Sequence, residues 1–95
     1  MEICMKVSEI QFAANLEALS IPQCRRIVEA LVQGPLSLAE LSKKSKLTPA
    51  SIEKHLEILL TAGLVRVRVT NGTRKAHLQF LKLEPTVDWF SKLQL

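Results

Sequence analysis

The chain has 95 residues, 47% of them hydrophobic, which fits one folded domain over 1–95 and excludes a disordered chain. Its apolar runs fall short of the roughly 20 residues of a membrane span, residues 1–15 lack the basic start and apolar run of a secretory leader, and Cys4 and Cys24 are too few for a disulfide framework, so a cytoplasmic protein is expected. The formal charge of +4 is uneven: residues 43–75 hold eight basic side chains against two acids, a segment charge of +6, while the rest sums to −2, an asymmetry that suits a polyanion.

Residues 3–19 show two helical stripes, Ile3, Val7, Ile10 and Ala14 on one and Phe12, Leu16 and Leu19 on the other. A helix apolar on two sides can face its own core and a partner chain at once. "SIPQ" at 20–23 predicts a second helix, with Ser20 and Gln23 at capping-box spacing and Pro22 in the first turn. Ile27 and Leu31 point inward, and Gly34-Pro35 stops it. "SLAE" at 37–40 is another capping box, opening a short helix with Leu38 and Leu41 inward. Thr48 then caps a helix that has Pro49 at its first position, a buried stripe of Ile52, Leu56, Leu59 and Leu60, and Gly63 as its stop. About three residues join these two helices, the size of a helix-turn-helix connection.

From Leu64 the period falls to two. Val65, Val67 and Val69 alternate with Arg66, Arg68 and Thr70, Asn71-Gly72 follows, and Ala76, Leu78 and Phe80 alternate with Lys75, His77 and Gln79. Asn-Gly suits a type I′ turn, in which both central residues have positive φ. A two-residue turn sets Arg68 opposite Lys75 and Arg66 opposite His77. Like charges face to face weaken a ladder by some tenths of a kcal/mol, and a phosphate backbone alongside would offset that. Glu84 and Pro85 are expected to end the strand. "TVDWFSKLQL" (86–95) reads as a last helix, with Val87, Phe90 and Leu93 on one line and Trp89 beside them. Three turns do not stand alone in water, so this helix must dock on the domain, on a partner, or on both.

The architecture read from the residues is therefore mainly α with a small β-hairpin, a winged helix-turn-helix with an added terminal helix. On a helical projection of 49–62, Ala50, Ser51, Lys54 and His55 lie on the outer, N-terminal surface. Lys54 can reach guanine or phosphate, Ser51 can bond either, and Ala50 can meet a thymine methyl. His55 either contacts DNA or bonds locally and supports the helix. Glu53 accepts from a cytosine, pairs with Lys46, or steadies the positive helix N-terminus, the last being preferred. Lys43, Lys44, Arg66, Arg68, Arg74 and Lys75 are candidates for phosphate, which positions a protein without reading sequence.

Residues 16–80 resemble the ArsR-type bacterial and archaeal transcriptional regulators. The resemblance rests on Pro22 with Arg25-Arg26-Ile27, on "GPLSLAEL", and on "HLEILLTAGLVRVR" ahead of a turn and second strand. It implies a homodimer on double-stranded operator DNA, usually a repressor. It also implies that the helix from Pro49 enters the major groove, that the hairpin is the wing, and that the first and last helices form the dimer interface. The apolar residues already seen there are Ile3, Val7, Ile10, Trp89, Phe90 and Leu93. Pro49 and Glu53 stand where relatives often carry Gln and Ser.

No sensor site is expected. The helix at 38–45 has no Cys, and the last helix has one acid, Asp88, and no His, so the metal motifs of such relatives are missing and neither metal nor other cofactor is predicted. Cys4 and Cys24 could pair as a redox switch, with Arg25 and Arg26 lowering the Cys24 pKa, which gives a thiol-responsive repressor as an alternative. A winged-helix protein-interaction module that does not read DNA is another. No nucleophile–base–acid constellation or phosphate loop is visible, so neither an enzyme nor a small-molecule substrate is expected.

Overall fold

The computed structural model describes residues 7–93; Ile3 and Cys4 lie outside them. In chain order the elements are α1 (Val7–Leu19), α2 (Pro22–Leu31), β1 (Leu36–Ser37), α3 (Leu38–Ser45), α4 (Pro49–Ala62), β2 (Val65–Thr70), β3 (Thr73–Leu78) and α5 (Phe80–Lys92). The three strands form one antiparallel sheet in the order β1-β3-β2. Helices α2, α3 and α4 pack over one face of it, and α1 and α5 pack on each other beside α4. The core is aliphatic: Ile27 and Leu31 of α2, Leu41 of α3, Ile52, Leu56 and Leu59 of α4, and Leu64, Val65, Ala76 and Leu78 of the hairpin and its entry. Full burial of each large aliphatic side chain contributes roughly 1.5–3 kcal/mol, so this cluster is what holds the helices on the sheet.

Local chemistry sets the helix starts around the turn. The Glu40 amide donates to the Ser37 hydroxyl at 3.2 Å and the Ser37 amide to Glu40 Oε1 at 2.9 Å, the reciprocal pair of a capping box. The Ser51 amide donates to the Thr48 hydroxyl at 3.2 Å, with Pro49 just inside the helix. Between them Lys46 closes α3 in the left-handed region at φ 60°, and its amide donates to the Ser42 carbonyl. A residue with a Cβ is uncommon there; Leu47 beyond it packs on the core and holds the turn. Gly63 caps α4 at φ 81°. At the hairpin tip Asn71 and Gly72 have φ 53° and 77°, and the ladder runs Val65 to Leu78, Arg66 to His77, Val67 to Ala76 and Arg68 to Lys75. Both the turn and the register are those expected from the sequence.

Four expectations need correction. Ser20 does not cap α2: its hydroxyl donates to the Glu17 carbonyl at 2.6 Å, and Ile21 is the N-cap without a side-chain bond. Leu60 is not in the buried stripe of α4 but 40% exposed, at the edge facing the wing. The second strand ends at Leu78, and Phe80 begins α5. Pro85 lies inside α5 rather than ahead of it, so the last helix is about a turn and a half longer at its start than the sequence suggests. Proline removes one helical hydrogen bond and crowds the carbonyl four residues back, here that of Leu81. Beside that position Asn15 ties the turn to α1: its amide donates to the Lys82 carbonyl at 2.7 Å and to Thr86 Oγ1 at 2.9 Å, and both Asn15 and Thr86 are buried. The innermost positions of α1 are thus Asn15 and Ala18, with Phe12 and Leu19 half-buried; Val7, Ile10 and Leu16 are exposed.

Candidate nucleic-acid interface

The rotation of α4 follows from its buried residues. With Ile52, Leu56 and Leu59 in the core, Ala50, Glu53, Lys54 and Glu57 are exposed and Ser51 and His55 half-buried. Ser51 and His55 are tied together. His55 Nδ1 lies 2.8 Å from the Ser51 carbonyl and 3.2 Å from the Ser51 hydroxyl. A carbonyl only accepts, so Nδ1 carries the proton and Nε2 is the nitrogen left to bond elsewhere. His55 therefore does bond locally, and that bond aims its ring. Lys54 stands exposed on α4, where it lines a shallow groove with Glu57 of the same helix and Glu17 of α1.

Further exposed basic side chains come from α3, the turn after it, and α2. Lys43 and Lys44 are exposed in the last turn of α3, and Lys46 is exposed in the turn itself. Arg26 of α2 shares a surface cleft with Lys44 and Lys46. Its place in that patch was not legible in the sequence, because 18 and 20 residues separate it from those lysines and only the packing of α2 on α3 brings them together.

Strand alternation divides the wing residues into two sets. Arg66, Arg68 and Lys75 share the sheet face of Ser37, while Arg74 shares the other face with Val67, Val69 and Ala76. Arg66, Arg68 and Arg74 are exposed and Lys75 half-buried. A groove of about 360 Å³ runs between the wing and α4, with Glu53, Glu57 and Leu60 on the helix side and Val67, Arg74 and Lys75 on the wing side. Glu53 thus lies on the flank of α4 that faces the wing cations, away from Lys54. The preferred sequence expectation set it against the helix N-terminus; the packing gives it a groove lined by Arg74 and Lys75 instead. The Lys75 charge also acts on Glu40, whose carboxyl is held below the usual carboxylate range chiefly by its hydrogen bonding to Ser37.

Helices α1 and α5 leave apolar surface in solvent. Val7 is 80% exposed, and Ile10, Val87, Trp89, Phe90 and Leu93 are all exposed as well. Phe12 packs on Trp89 with ring centroids 5.6 Å apart, and Trp89 meets Phe90 edge-on at 5.1 Å. Exposed apolar surface gathered on two packed helices is the kind that marks interaction faces, here bordered by Glu9, Glu84, Asp88 and Lys92 in the groove between α1 and α5.

The redox expectation for Cys24 runs against its surroundings. Cys24 is fully buried and burial pushes its thiol pKa up, away from the reactive thiolate. The Arg25 guanidinium is engaged by the Leu19 carbonyl, to which it donates at 2.6 Å, and burial is the cause resolved for the Cys24 shift. The proposed partner Cys4 is outside the described residues. Among the described residues no three His, Cys, Asp or Glu side chains are grouped to hold a metal ion, and no helix is long and apolar enough to cross a membrane.

Comparison with known proteins places this geometry. Residues 22–67 match the family described as bacterial regulatory protein, arsR family. The chain is similar to the HTH-type transcriptional regulator Rv2034 of Mycobacterium tuberculosis, 37% identical over 70 residues that make up 74% of this chain and 61% of that protein. The chain thus spans about three fifths of the length of the curated relative it matches. Among solved structures it is similar to a "possible transcriptional regulator for arsenical resistance", with a TM-score of 0.72 and 27% identity, over 86% of this chain and 85% of that one. It also shares the fold of the homodimeric winged helix-turn-helix DNA-binding domain of Mb0332 from Mycobacterium bovis, with a TM-score of 0.71 at 14% identity over 96% and 90% of the two chains.

Proposed function

We propose, from the match of residues 22–67 to the bacterial regulatory arsR family, that the chain is an arsR-type DNA-binding transcriptional regulator, a homodimer that represses by occupying double-stranded operator DNA. One observation carries this reading: the N-terminal turns of α4, with Ala50 and Lys54 exposed and Ser51 and His55 half-buried, follow a three-residue turn carrying exposed Lys46, with the exposed Lys43 and Lys44 at the end of α3 before it and the basic hairpin after α4. Lys54 and Ser51 reach base edges or phosphates, and Ala50 a thymine methyl. Lys43, Lys44, Lys46, Arg66, Arg68, Arg74 and Lys75, joined by Arg26, neutralise phosphates on either side. The exposed apolar residues of α1 and α5 meet their counterparts on a second copy. Two reading helices then present to half-sites about 34–36 Å apart. The protein works in the cytoplasm, where the DNA is, and carries out no chemistry of its own.

Selection of bound fragments from genomic DNA, followed by mobility-shift titration of the recovered sequences, tests the proposal. One recurring, two-fold related sequence bound as a dimer is expected. Micromolar protein that shifts no selected fragment at low salt would overturn it.

A further inference from the structure

Asn15 stands out among the buried side chains. It is fully buried on a helix that otherwise contributes apolar groups to the core, and its bonds reach residues 67 and 71 positions away. An aliphatic residue would fill such a position without the need to satisfy an amide. The amide is nonetheless fully used. Its Nδ2 donates to the Lys82 carbonyl and to Thr86 Oγ1 on α5, and its Oδ1 accepts from Gln11 Nε2 at 2.7 Å. The same Gln11 nitrogen donates at 2.9 Å to the carbonyl of Ala62, in the last turn of α4. Carbonyls accept only, so both amide orientations are forced, and the bonds run unbroken from the end of α4, through α1, to the turn of α5 that contains Pro85.

The chain of bonds starts and ends at sensitive places. The last carbonyls of a helix have no partner within it, so the Ala62 carbonyl is open to a donor from outside, and Gln11 supplies it. Gln11 also covers Gly63: a Cβ there would lie 3.7 Å from Gln11 Oε1. At the other end Pro85 gives α5 no amide to hold that turn. Apolar packing between α1, α4 and α5 sets their separation but is non-directional; hydrogen bonds have preferred distances and angles and fix rotation and axial position.

We propose that Gln11 and Asn15 are positioning residues for DNA recognition: their amide chain fixes α4 against the α1–α5 layer, and so sets the spacing at which two copies present their reading helices. The inference rests on the DNA-binding dimer proposed above, and neither residue touches DNA. In that dimer the two α1–α5 layers meet, so the path from one reading helix to the other passes through Gln11 and Asn15 in each copy. Loosening it leaves each helix able to read its own half-site but blurs the distance between them.

The test uses full-length protein and Gln11→Met, which keeps length and apolar bulk but cannot donate. Gln11→Leu is the second variant should Met fail to fold. The first readout needs no DNA: residual dipolar couplings of α4 and α5 amides. In wild type both sets are expected to fit one alignment tensor, and in Gln11→Met the α4 couplings shrink while those within α5 keep their pattern. The second readout is competition between selected half-sites set at the preferred spacer and at one base pair more or less. Wild type is expected to favour its spacer by about tenfold, the variant by about threefold or less, with single half-site affinity unchanged. Couplings that still fit one rigid body, or an unchanged spacer preference, overturn the proposal. Should wild type bind no DNA at low salt, the DNA reading and the spacer role fail together, and the couplings alone then decide whether the amide chain positions α4.

Discussion

Replacing Arg66 and Arg68 together with Gln should flatten the salt dependence of DNA binding without harming the fold. Both arginines are exposed on one face of β2, two residues and so about 6.8 Å apart by strand geometry. Each phosphate contact contributes ~0.9 to the slope of log affinity against log salt. Two arginines in each half of a dimer make up to four contacts, so the slope should become shallower by about 3 to 4, and affinity near 0.2 M salt should fall on the order of 100-fold. The loss should be similar for strong and weak operator variants, because phosphate contacts carry no sequence information. Folding should be unaffected or slightly favoured, by some tenths of a kcal/mol, because Arg68 faces Lys75 across the ladder. Fluorescence anisotropy over a salt series, with thermal unfolding alongside, measures both. A slope change below about 1 refutes the phosphate role; a loss confined to particular operator sequences would show that these side chains read bases instead.

Three further outcomes are expected. Glu40→Gln should destabilise the protein at neutral pH but not in acid: the native Glu40 carboxyl titrates below its ordinary value, so its contribution is fully present above the ordinary value and is lost as pH falls through the lowered native one. Urea midpoints of the two proteins should differ at pH 7 and converge towards pH 3; a difference that persists in acid refutes the assignment. Ile10→Glu with Phe90→Glu, both at exposed positions, should shift the dimer to monomer in sedimentation while the helical circular dichroism is retained, and an unchanged dimer would exclude the α1–α5 face. Cys24 in the folded protein should react with iodoacetamide far more slowly than after denaturation, since it is both buried and held in the thiol form; equal rates would contradict its placement.

The parts of the fold that the sequence made legible are those governed by neighbours along the chain. Ser37 with Glu40, Thr48 with Pro49, Gly63, and Asn71-Gly72 each act within a few residues, and each is found in its expected role. The hairpin register followed from a two-residue turn and alternation, and with it the separation of Arg74 from Arg66, Arg68 and Lys75. What stayed hidden depends on distant contacts. Pro85 reads as a helix boundary and sits within α5, where Asn15 holds the adjoining turn. A two-residue strand such as β1 has no period to detect and exists only because β3 pairs with it. Ser20 has capping-box spacing with Gln23 but bonds backward to Glu17. Within the candidate site, the local bond between His55 and Ser51 was among the readings left open, whereas the position of Glu53 opposite Arg74 and Lys75, and of Arg26 beside Lys44, required the packed domain.

Ser37 belongs to two elements at once. It pairs with Lys75 in the sheet and caps α3 through its hydroxyl. The β1–β3 pairing also closes a loop of about forty residues that contains the whole helix-turn-helix. Separating the wing from β1 therefore disturbs the first turn of α3, and unwinding that turn loosens the hold on the wing. In amide hydrogen exchange the first turn of α3 and the β3 amides bonded to β1 should open as one cooperative unit, with a common protection and a common response to denaturant. A wing hinged independently of the helices would not share that protection; this one is joined to them through a serine.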